Sequence, residues 1–283
     1  LNRHQSGPFF LWVHFFDPHA PYAVSEAELA AAPRDGRPLE LPNYWPPAHK
    51  SITSTDWLIR AYEQEIAATD TLLGTLLATL APDVLAKTIV AFTADHGESL
   101  TEHDTLFDHG SDLYDPALHI PLILAGPGVP KGQRVRCQVS GIDLAPSLRA
   151  LTGLPALTDS KSAGIDLAPF ATDCLDRPVH AATVAARHVE QPPVDHALRL
   201  PLAFGPGLGK PMSKYIQHGA GGESLFDLAL DPAEELNLIL AFPETVSTAS
   251  AWMEKVQKGA AIVASPELDK TTLEALEALG YLE

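Results

Sequence analysis

Cysteine, positive charge and long apolar runs are the features of which this sequence has least. The two cysteines, Cys137 and Cys174, are too few for a disulfide framework and lack the spacing of a zinc site, so they leave the redox compartment open. Lysine and arginine number 19 against 36 acidic residues, and the net charge of −17 argues against nucleic acid or anionic lipid as a partner. Apolar runs such as TIVAFTA are far shorter than the roughly 20 residues that cross a bilayer. No membrane span is predicted.

An initiating methionine and a signal sequence are also missing. The chain opens at Leu1 with LNRHQSGPFF, which has no basic segment followed by an apolar one. We therefore expect the natural N-terminus, with any targeting signal, to lie upstream. Among the residues that are present, 46% of 283 are hydrophobic and 19% are charged, enough to bury at least one large core.

The first half of the chain alternates strand and helix patterns. FFLWVHFF, residues 9–16, is aromatic and β-branched, which predicts a buried strand. A proline-rich stretch over residues 18–55 should wrap the surface. A helix follows from Ser54 or Thr55 until Pro82 ends it. Its predicted apolar face carries Leu58, Tyr62, Ile66, Leu73 and Leu77.

Two further strands and a helix complete an α/β pattern. Residues 88–94 and 120–125 are continuous apolar runs, typical of strands in a parallel sheet covered on both faces. A helix is predicted from Asp143 to a stop at Gly153. Strand, helix, strand, loop, strand and helix in this order predict an α/β core with helices on the faces of the sheet.

The pattern changes between Gly164 and Pro178. VHAATVAA, KYIQHG and ESLFDLAL alternate like strands, and residues 244–258 and 271–279 are helical in pattern. We therefore predict two domains, an α/β domain over residues 1–165 and a smaller α+β subdomain over residues 166–283.

Asp95 and His96 follow the apolar run at 88–94. The carboxyl ends of strands in α/β sheets open onto the binding crevice, and a carboxylate beside an imidazole can ligate a divalent cation. The alternative is a plain turn in which Asp95 accepts backbone N–H groups and Gly97 supplies a positive φ.

The loop after Gly97 is dense in acids and histidines. For Glu98, Glu102 and Asp104 a solvated polar loop is the favoured interpretation. For His109 a solvated position and a role in a site are equally compatible with the sequence. A site role is considered because imidazoles titrate near neutrality.

His19 lies in DPHAPY between two prolines, which fix the backbone and could present one ring nitrogen to an anionic substrate. A surface position is equally compatible with the sequence. For His14, inside FFLWVHFF, we expect a buried ring bonded to a backbone carbonyl.

Four segments of the chain resemble, in order, successive motifs of the type I sulfatases, members of the alkaline phosphatase superfamily. They are FFLWVHFFDPHAPY, TIVAFTADHGESLTEH, DHGSDLYDPALHIPLILAGPGVPKGQRV and VSGIDLAPSLRALTGLP. KYIQHG, ESLFDLALDPAEELNL and TLEALEALGYLE resemble the family's C-terminal subdomain. The resemblance implies an alkaline-phosphatase-like fold, an α/β fold with a mixed, mostly parallel sheet flanked by helices and a smaller α+β subdomain.

The resemblance also implies roles for four residues. Asp95 matches a metal-binding aspartate, and His96 falls where many members have Asn and others, including phosphonate monoester hydrolases, have His. His19 matches the histidine that contacts the sulfate and the leaving-group oxygen. His109 falls near a Lys or His that binds the substrate anion. One divalent cation is implied, Ca²⁺ first, with Mn²⁺ or Mg²⁺ as alternatives.

The nucleophile of the family is absent. It is a Cys or Ser, oxidised to formylglycine, in a C/S-x-P-x-R motif, and neither RCQVSG nor DCLDRP fits that motif. The paired aspartates after the family's first strand are absent too. We therefore expect an N-terminally truncated and inactive sulfatase.

The resemblance further implies a substrate and a location. The substrate of the intact protein would be a small-molecule or carbohydrate sulfate ester, and the location the periplasm or the exterior. Two alternatives are a phosphonate monoester or phosphodiester hydrolase on the same scaffold and a noncatalytic domain that binds a sulfated ligand. The oligomeric state is left open.

Overall fold

A computed structural model describes residues 7–135, 137–156, 164–167, 177–184, 194–200 and 213–259. The helices are α1 (Glu26–Ala30), α2 (Thr55–Ala78), α3 (Pro82–Leu85), α4 (Asp115–Leu118), α5 (Leu144–Leu151) and α6 (Pro243–Gly259). The strands are β1 (Val90–Thr93), β2 (Leu122–Ala125), β3 (Val179–Val184), β4 (Val194–Leu200), β5 (Ser213–Gln217) and β6 (Glu223–Asp227).

Helix α2 begins where its capping residue predicts. Ser54 is extended, and its hydroxyl accepts a hydrogen bond from the amide of Trp57 at 3.3 Å. The helix buries Leu58, Ala61 and Glu65, so a carboxyl lies on a face predicted to be apolar. Ile66, predicted on that face, is 45% exposed, since the buried line of the helix runs through Glu65 instead.

The sheet around β1 differs from the prediction. β1 and β2 pair in antiparallel register, from Val90 opposite Ala125 to Thr93 opposite Leu122, and each strand is partly buried on alternate residues. Continuous apolar runs indicate burial but not strand direction. The parallel arrangement was therefore wrong for this pair.

Residues 9–16 are not a strand, and their burial was wrongly predicted. Phe10 and Trp12 are 85% and 80% exposed, and His14 is exposed as well. β-propensity yields a strand only where a neighbour supplies hydrogen bonds. No strand among the described residues pairs with this segment.

The proline-rich segment contributes core rather than only surface. Ala20, Tyr22, Leu41, Trp45 and Ile52 are buried in a cluster that also holds two residues of α2 and Phe107. Prolines end regular structure without preventing burial of the side chains between them. The prediction that this stretch only wraps the surface was wrong.

The C-terminal part is an antiparallel sheet in the order β3-β4-β5-β6 with α6 against one face. Ala249 and Met253 of α6 pack on Leu198, Tyr215 and Leu225. These elements confirm the predicted strands and the helix over residues 244–258. The helix at 271–279 lies outside the described residues, and the boundary at 165/166 stays a prediction.

Buried charges join this sheet to α4. The Lys214 ammonium lies 2.8 Å from a carboxylate oxygen of Asp115 and 2.5 Å from one of Glu234. Glu234 in turn accepts the backbone amide of Asp115 at 2.6 Å. The C-terminal sheet therefore holds α4, the segment that supports β1.

Cys137 is disulfide-bonded.

Candidate functional site

Three histidines from separate segments meet beside the end of β1. The rings of His96 and His109 stack with centroids 3.9 Å apart, and His19 lies edge-on to His109 at 4.9 Å. The His19 and His96 centroids are 6.5 Å apart. The structure thus brings together the histidines that the sequence marked as candidates.

A close backbone approach sets the direction of the chain after β1. The Gly97 amide donates to the Ala117 carbonyl at 2.8 Å, and a Cβ on Gly97 would lie 2.0 Å from the carbonyl oxygen of Pro116. Only glycine fits there. Of the plain-turn alternative, one part is confirmed, since Asp95 accepts the His96 amide at 3.0 Å, and the other is wrong, since Gly97 has no positive φ.

Asp95 and His96 offer two ligand atoms suited to a divalent cation, a carboxylate oxygen and an imidazole nitrogen. The imidazole Nδ1 of His96 is 2.8 Å from the Gly97 carbonyl and donates to it in the Nδ1–H form, which leaves Nε2 available. Nε2 lies 3.7 Å from a carboxylate oxygen of Asp95. Two ligands of one cation can have this spacing, since their bonds to the metal are about 2.0–2.6 Å long.

The electrostatics at Asp95 favour a carboxylate. Partial burial acts to raise the pKa of Asp95, but the neighbouring His96 and the local backbone N–H groups outweigh it and hold the pKa below its ordinary value. Within the described ranges no group of three or more His, Cys, Asp and Glu side chains forms a metal centre. The pair therefore fits part of a metal shell.

The acidic loop is folded back by an antiparallel bridge between Ser99 and Asp108. The bridge places Glu98 beside His109, with Oε1 3.0 Å from Nδ1. Glu98 is only 8% exposed, so its assignment to a solvated loop was wrong. Glu102 and Asp104 are exposed, as predicted.

Backbone strain and burial coincide in the same loop. His103, Asp104 and Phe107 have positive φ, a conformation that costs non-glycine residues roughly 1 kcal/mol each. Phe107 is completely buried, and the Tyr44 hydroxyl donates to its carbonyl at 3.1 Å. Burial of the phenyl ring offsets the strain, so the loop is anchored to the core next to the Ser99–Asp108 bridge.

His19 is held by its own loop. Its Nδ1 lies 2.5 Å from the Ala20 carbonyl, the acceptor for an Nδ1–H. Burial lowers the pKa of His19 below its ordinary value, and His109 lowers it further against the opposing bond to Ala20. The free site therefore holds His19 as a neutral imidazole near pH 7.

Glu65 is a site-supporting residue that sequence reasoning missed. Its carboxyl accepts the amide of Ala23, and one turn later Thr69 donates to the Asp17 carbonyl at 3.4 Å. The available signal was its position seven residues after Leu58, on the buried face of α2. A carboxyl at a core position needs a partner, and here the partner is a backbone amide of the loop that carries His19.

Comparisons with known proteins agree with this geometry. The sulfatase family model matches residues 1–154, more than half of the chain. Arylsulfatase K of Gallus gallus is 31% identical over 222 residues, which cover 75% of this chain and 38% of that protein. The chain spans less than half the length of the curated relatives that it matches first.

Solved structures give the same fold at lower identity. The phosphonate monoester hydrolase of Agrobacterium radiobacter matches with a TM-score of 0.59 at 21% identity, over 76% of this chain and 43% of that one. A protein solved in complex with its substrate D-glucosamine-2-N,6-O-disulfate matches with a TM-score of 0.56, also at 21% identity over 76% and 43%. The overall fold is therefore of the sulfatase, alkaline-phosphatase-like type.

None of the helices among the described residues has the length and hydrophobicity that a membrane span requires.

Proposed function

Because the chain belongs to the sulfatase family, we propose that it forms part of a sulfuric ester hydrolase whose site includes His19, Asp95, His96 and His109. The observation that carries the proposal is the convergence of His19 and His109 on the Asp95–His96 pair, with ring centroids between 3.9 and 6.5 Å apart. A histidine cluster beside a carboxylate at a strand end suits an ester anion bound near a cation.

Asp95 and His96 would hold one divalent cation, Ca²⁺ first and Mn²⁺ or Mg²⁺ as alternatives. When bound, this cation would supply charge neutralisation and polarise the nucleophile. The Nδ1–H of His96 would stay on the Gly97 carbonyl and keep Nε2 turned toward the metal position.

His19 would bind the ester and protonate the departing oxygen. Its Nδ1 is engaged by Ala20, so Nε2 is the atom that exchanges the proton. Burial lowers the pKa of His19 in the free site, and a bound ester anion would raise it again, because an opposite charge favours the protonated form. His109, whose ring lies edge-on to that of His19, would also contact the anion.

The nucleophile would come from sequence outside these 283 residues, which contain no C/S-x-P-x-R motif. In the intact protein it would be a formylglycine, whose hydrated form attacks sulfur. The mostly parallel sheet that the resemblance implies would likewise need strands other than β1 and β2. The chain alone should therefore be inactive.

The substrate class is a carbohydrate or other small-molecule sulfate ester. A structural relative was solved with the disulfated sugar D-glucosamine-2-N,6-O-disulfate as its substrate, which supports this choice. The second candidate is phosphonate monoester or phosphodiester hydrolysis, which His96 and the match to a phosphonate monoester hydrolase favour. A noncatalytic domain that binds sulfated ligands is the remaining alternative.

The test compares the 283-residue chain with a protein that also carries whatever coding sequence lies upstream of it. Both are produced with a formylglycine-generating enzyme and assayed on 4-nitrophenyl sulfate and bis(4-nitrophenyl) phosphate with Ca²⁺ or Mn²⁺. We expect sulfate ester hydrolysis by the longer protein alone, lost in Asp95→Ala. Preference for the phosphodiester would favour a phosphonate monoester or phosphodiester hydrolase. Saturable binding without turnover would favour a noncatalytic domain that binds sulfated ligands. Turnover by the short chain that disappears in Asp95→Ala would contradict an external nucleophile.

A further inference from the structure

We propose that Glu98 is a positioning residue for His109, whose ring orientation and tautomer it fixes through Nδ1. The carboxylate accepts the Nδ1–H, so the Nδ1–H tautomer leaves Nε2 as the ring nitrogen that can accept a hydrogen bond. The inference rests on the proposed function in one respect only, namely that His109 Nε2 contacts the bound ester.

The register of the loop makes this contact. Ser99 and Asp108 exchange backbone hydrogen bonds of 3.0 and 3.1 Å, which close an antiparallel bridge. Glu98 and His109 are the next residues outward on the two sides of that bridge. Their side chains therefore meet although eleven positions separate them, and Glu98 Oε1 lies 3.0 Å from His109 Nδ1.

Burial makes the bond difficult to replace. The Glu98 side chain is 3% exposed and the His109 side chain 12%, so water cannot readily take the place of either partner. Among the described residues Glu98 Oε2 has no hydrogen-bond partner, which leaves the contact at Oε1 as the one that holds the carboxylate. An ionised carboxylate only accepts hydrogen bonds, so the proton between the two groups belongs on Nδ1.

His109 differs from the other two histidines in how it is held. The Nδ1 atoms of His19 and His96 face the carbonyl of the next residue in the chain, which no side-chain substitution removes. The Nδ1 of His109 instead faces a side chain. The stacked ring of His96 and the edge-on ring of His19 limit its tilt, but neither contact selects a tautomer.

The test is the tautomer of the neutral His109 ring, read from the ring ¹⁵N shifts and two-bond couplings of the ¹⁵N-histidine-labelled chain. The His109→Gln variant assigns the signals. Glu98→Ala removes the acceptor, and Glu98→Gln keeps an oxygen at the same distance from the backbone. Asp104→Asn removes a charge from the same loop at an exposed position and is the matched control.

We expect Nδ1–H in the wild type, a several-fold lower share of that tautomer in Glu98→Ala, its recovery in Glu98→Gln and no change in Asp104→Asn. An Nε2–H tautomer in the wild type would overturn the proposal even if Glu98→Ala did not fold. So would a folded Glu98→Ala variant with the wild-type tautomer. Because no ester is present, this result and the hydrolysis assays can fail independently.

Discussion

Glu65 of α2 accepts a hydrogen bond from the backbone amide of Ala23, so that a buried carboxyl fastens the loop that carries His19. Burial raises the pKa of Glu65 to about 7, and the charges of Asp17 and Glu98 add to that rise against the opposing backbone bonds. The loop is thus held by a group that changes charge near neutrality.

Glu65→Gln should alter how stability depends on pH. The folded-state pKa lies above the ordinary 4.5, so the protonated group stabilises the fold below about pH 4.5, and this contribution disappears as the pH rises through about 7. Relative to the wild type, the variant should gain roughly 1–3 kcal/mol in free energy of unfolding between about pH 5 and pH 8. Urea titrations at several pH values measure this. Glu63→Gln, exposed on the same helix, is the control, and parallel wild-type and Glu65→Gln curves would contradict the prediction.

Asp95→Ala should weaken divalent-cation binding by the chain at least tenfold. Asp95 and His96 provide only part of a shell, so we expect weak affinity, with Kd of about 10⁻⁴ to 10⁻³ M. Calorimetry with Ca²⁺, Mg²⁺ and Mn²⁺ should show at least a tenfold loss in Asp95→Ala, since charge on the ligands dominates affinity. Asp104→Ala in the neighbouring loop should bind as the wild type does. Tight binding that survives Asp95→Ala would remove Asp95 from the site.

His19→Ala should slow hydrolysis most for esters with poor leaving groups. The measurement needs the catalytically complete protein described above. An alkyl sulfate requires protonation of its departing oxygen and should lose roughly 10²- to 10⁴-fold in kcat, whereas 4-nitrophenyl sulfate should lose much less. Equal losses for the two esters would leave His19 as an anion contact. His119→Ala, which changes an exposed histidine after α4, is the control.

Asp143→Ala should be among the most destabilising substitutions in the chain. The fully buried carboxylate accepts the amides of Ser140 and Ile165 and pairs with Arg177. Its removal leaves the guanidinium without that partner and should cost about 3–5 kcal/mol in free energy of unfolding. The exposed pair of Arg37 and Glu40 gives the control, since Arg37→Ala should cost less than about 1 kcal/mol. Similar losses for the two variants would show that burial is not the cause.

The exposed aromatic segment at residues 9–16 should drive association. Phe10 and Trp12 present apolar side chains to solvent beside a backbone without a paired strand among the described residues. Light scattering of the chain should show aggregates that decrease at least several-fold in the double variant Phe10→Ser and Trp12→Ser. Leu240→Ser changes an isolated residue that is 94% exposed and should have no effect. A monodisperse wild-type chain would contradict the prediction.

The sequence predicted well where local signals decide the structure. The Ser54 cap fixes the start of α2, and a positive φ at Gly153 follows the end of α5. The strands predicted at β5 and β6 are present, but each buries four consecutive residues, whereas alternation indicated one exposed face. Ordered motifs also pointed to the family and to four residues that the fold brings together. These features depend on neighbours in the chain, which a single sequence contains.

Tertiary structure alone decided which charged groups are buried and which strands pair. Nothing local distinguishes Glu98, held beneath His109, from the exposed Glu102, because the difference arises from a bridge between Ser99 and Asp108. The same holds for Glu65, whose partner Ala23 lies 42 positions away. Composition and spacing determined the chemistry available to this protein, whereas contacts between distant segments decided which of those groups lost water and therefore had to be paired.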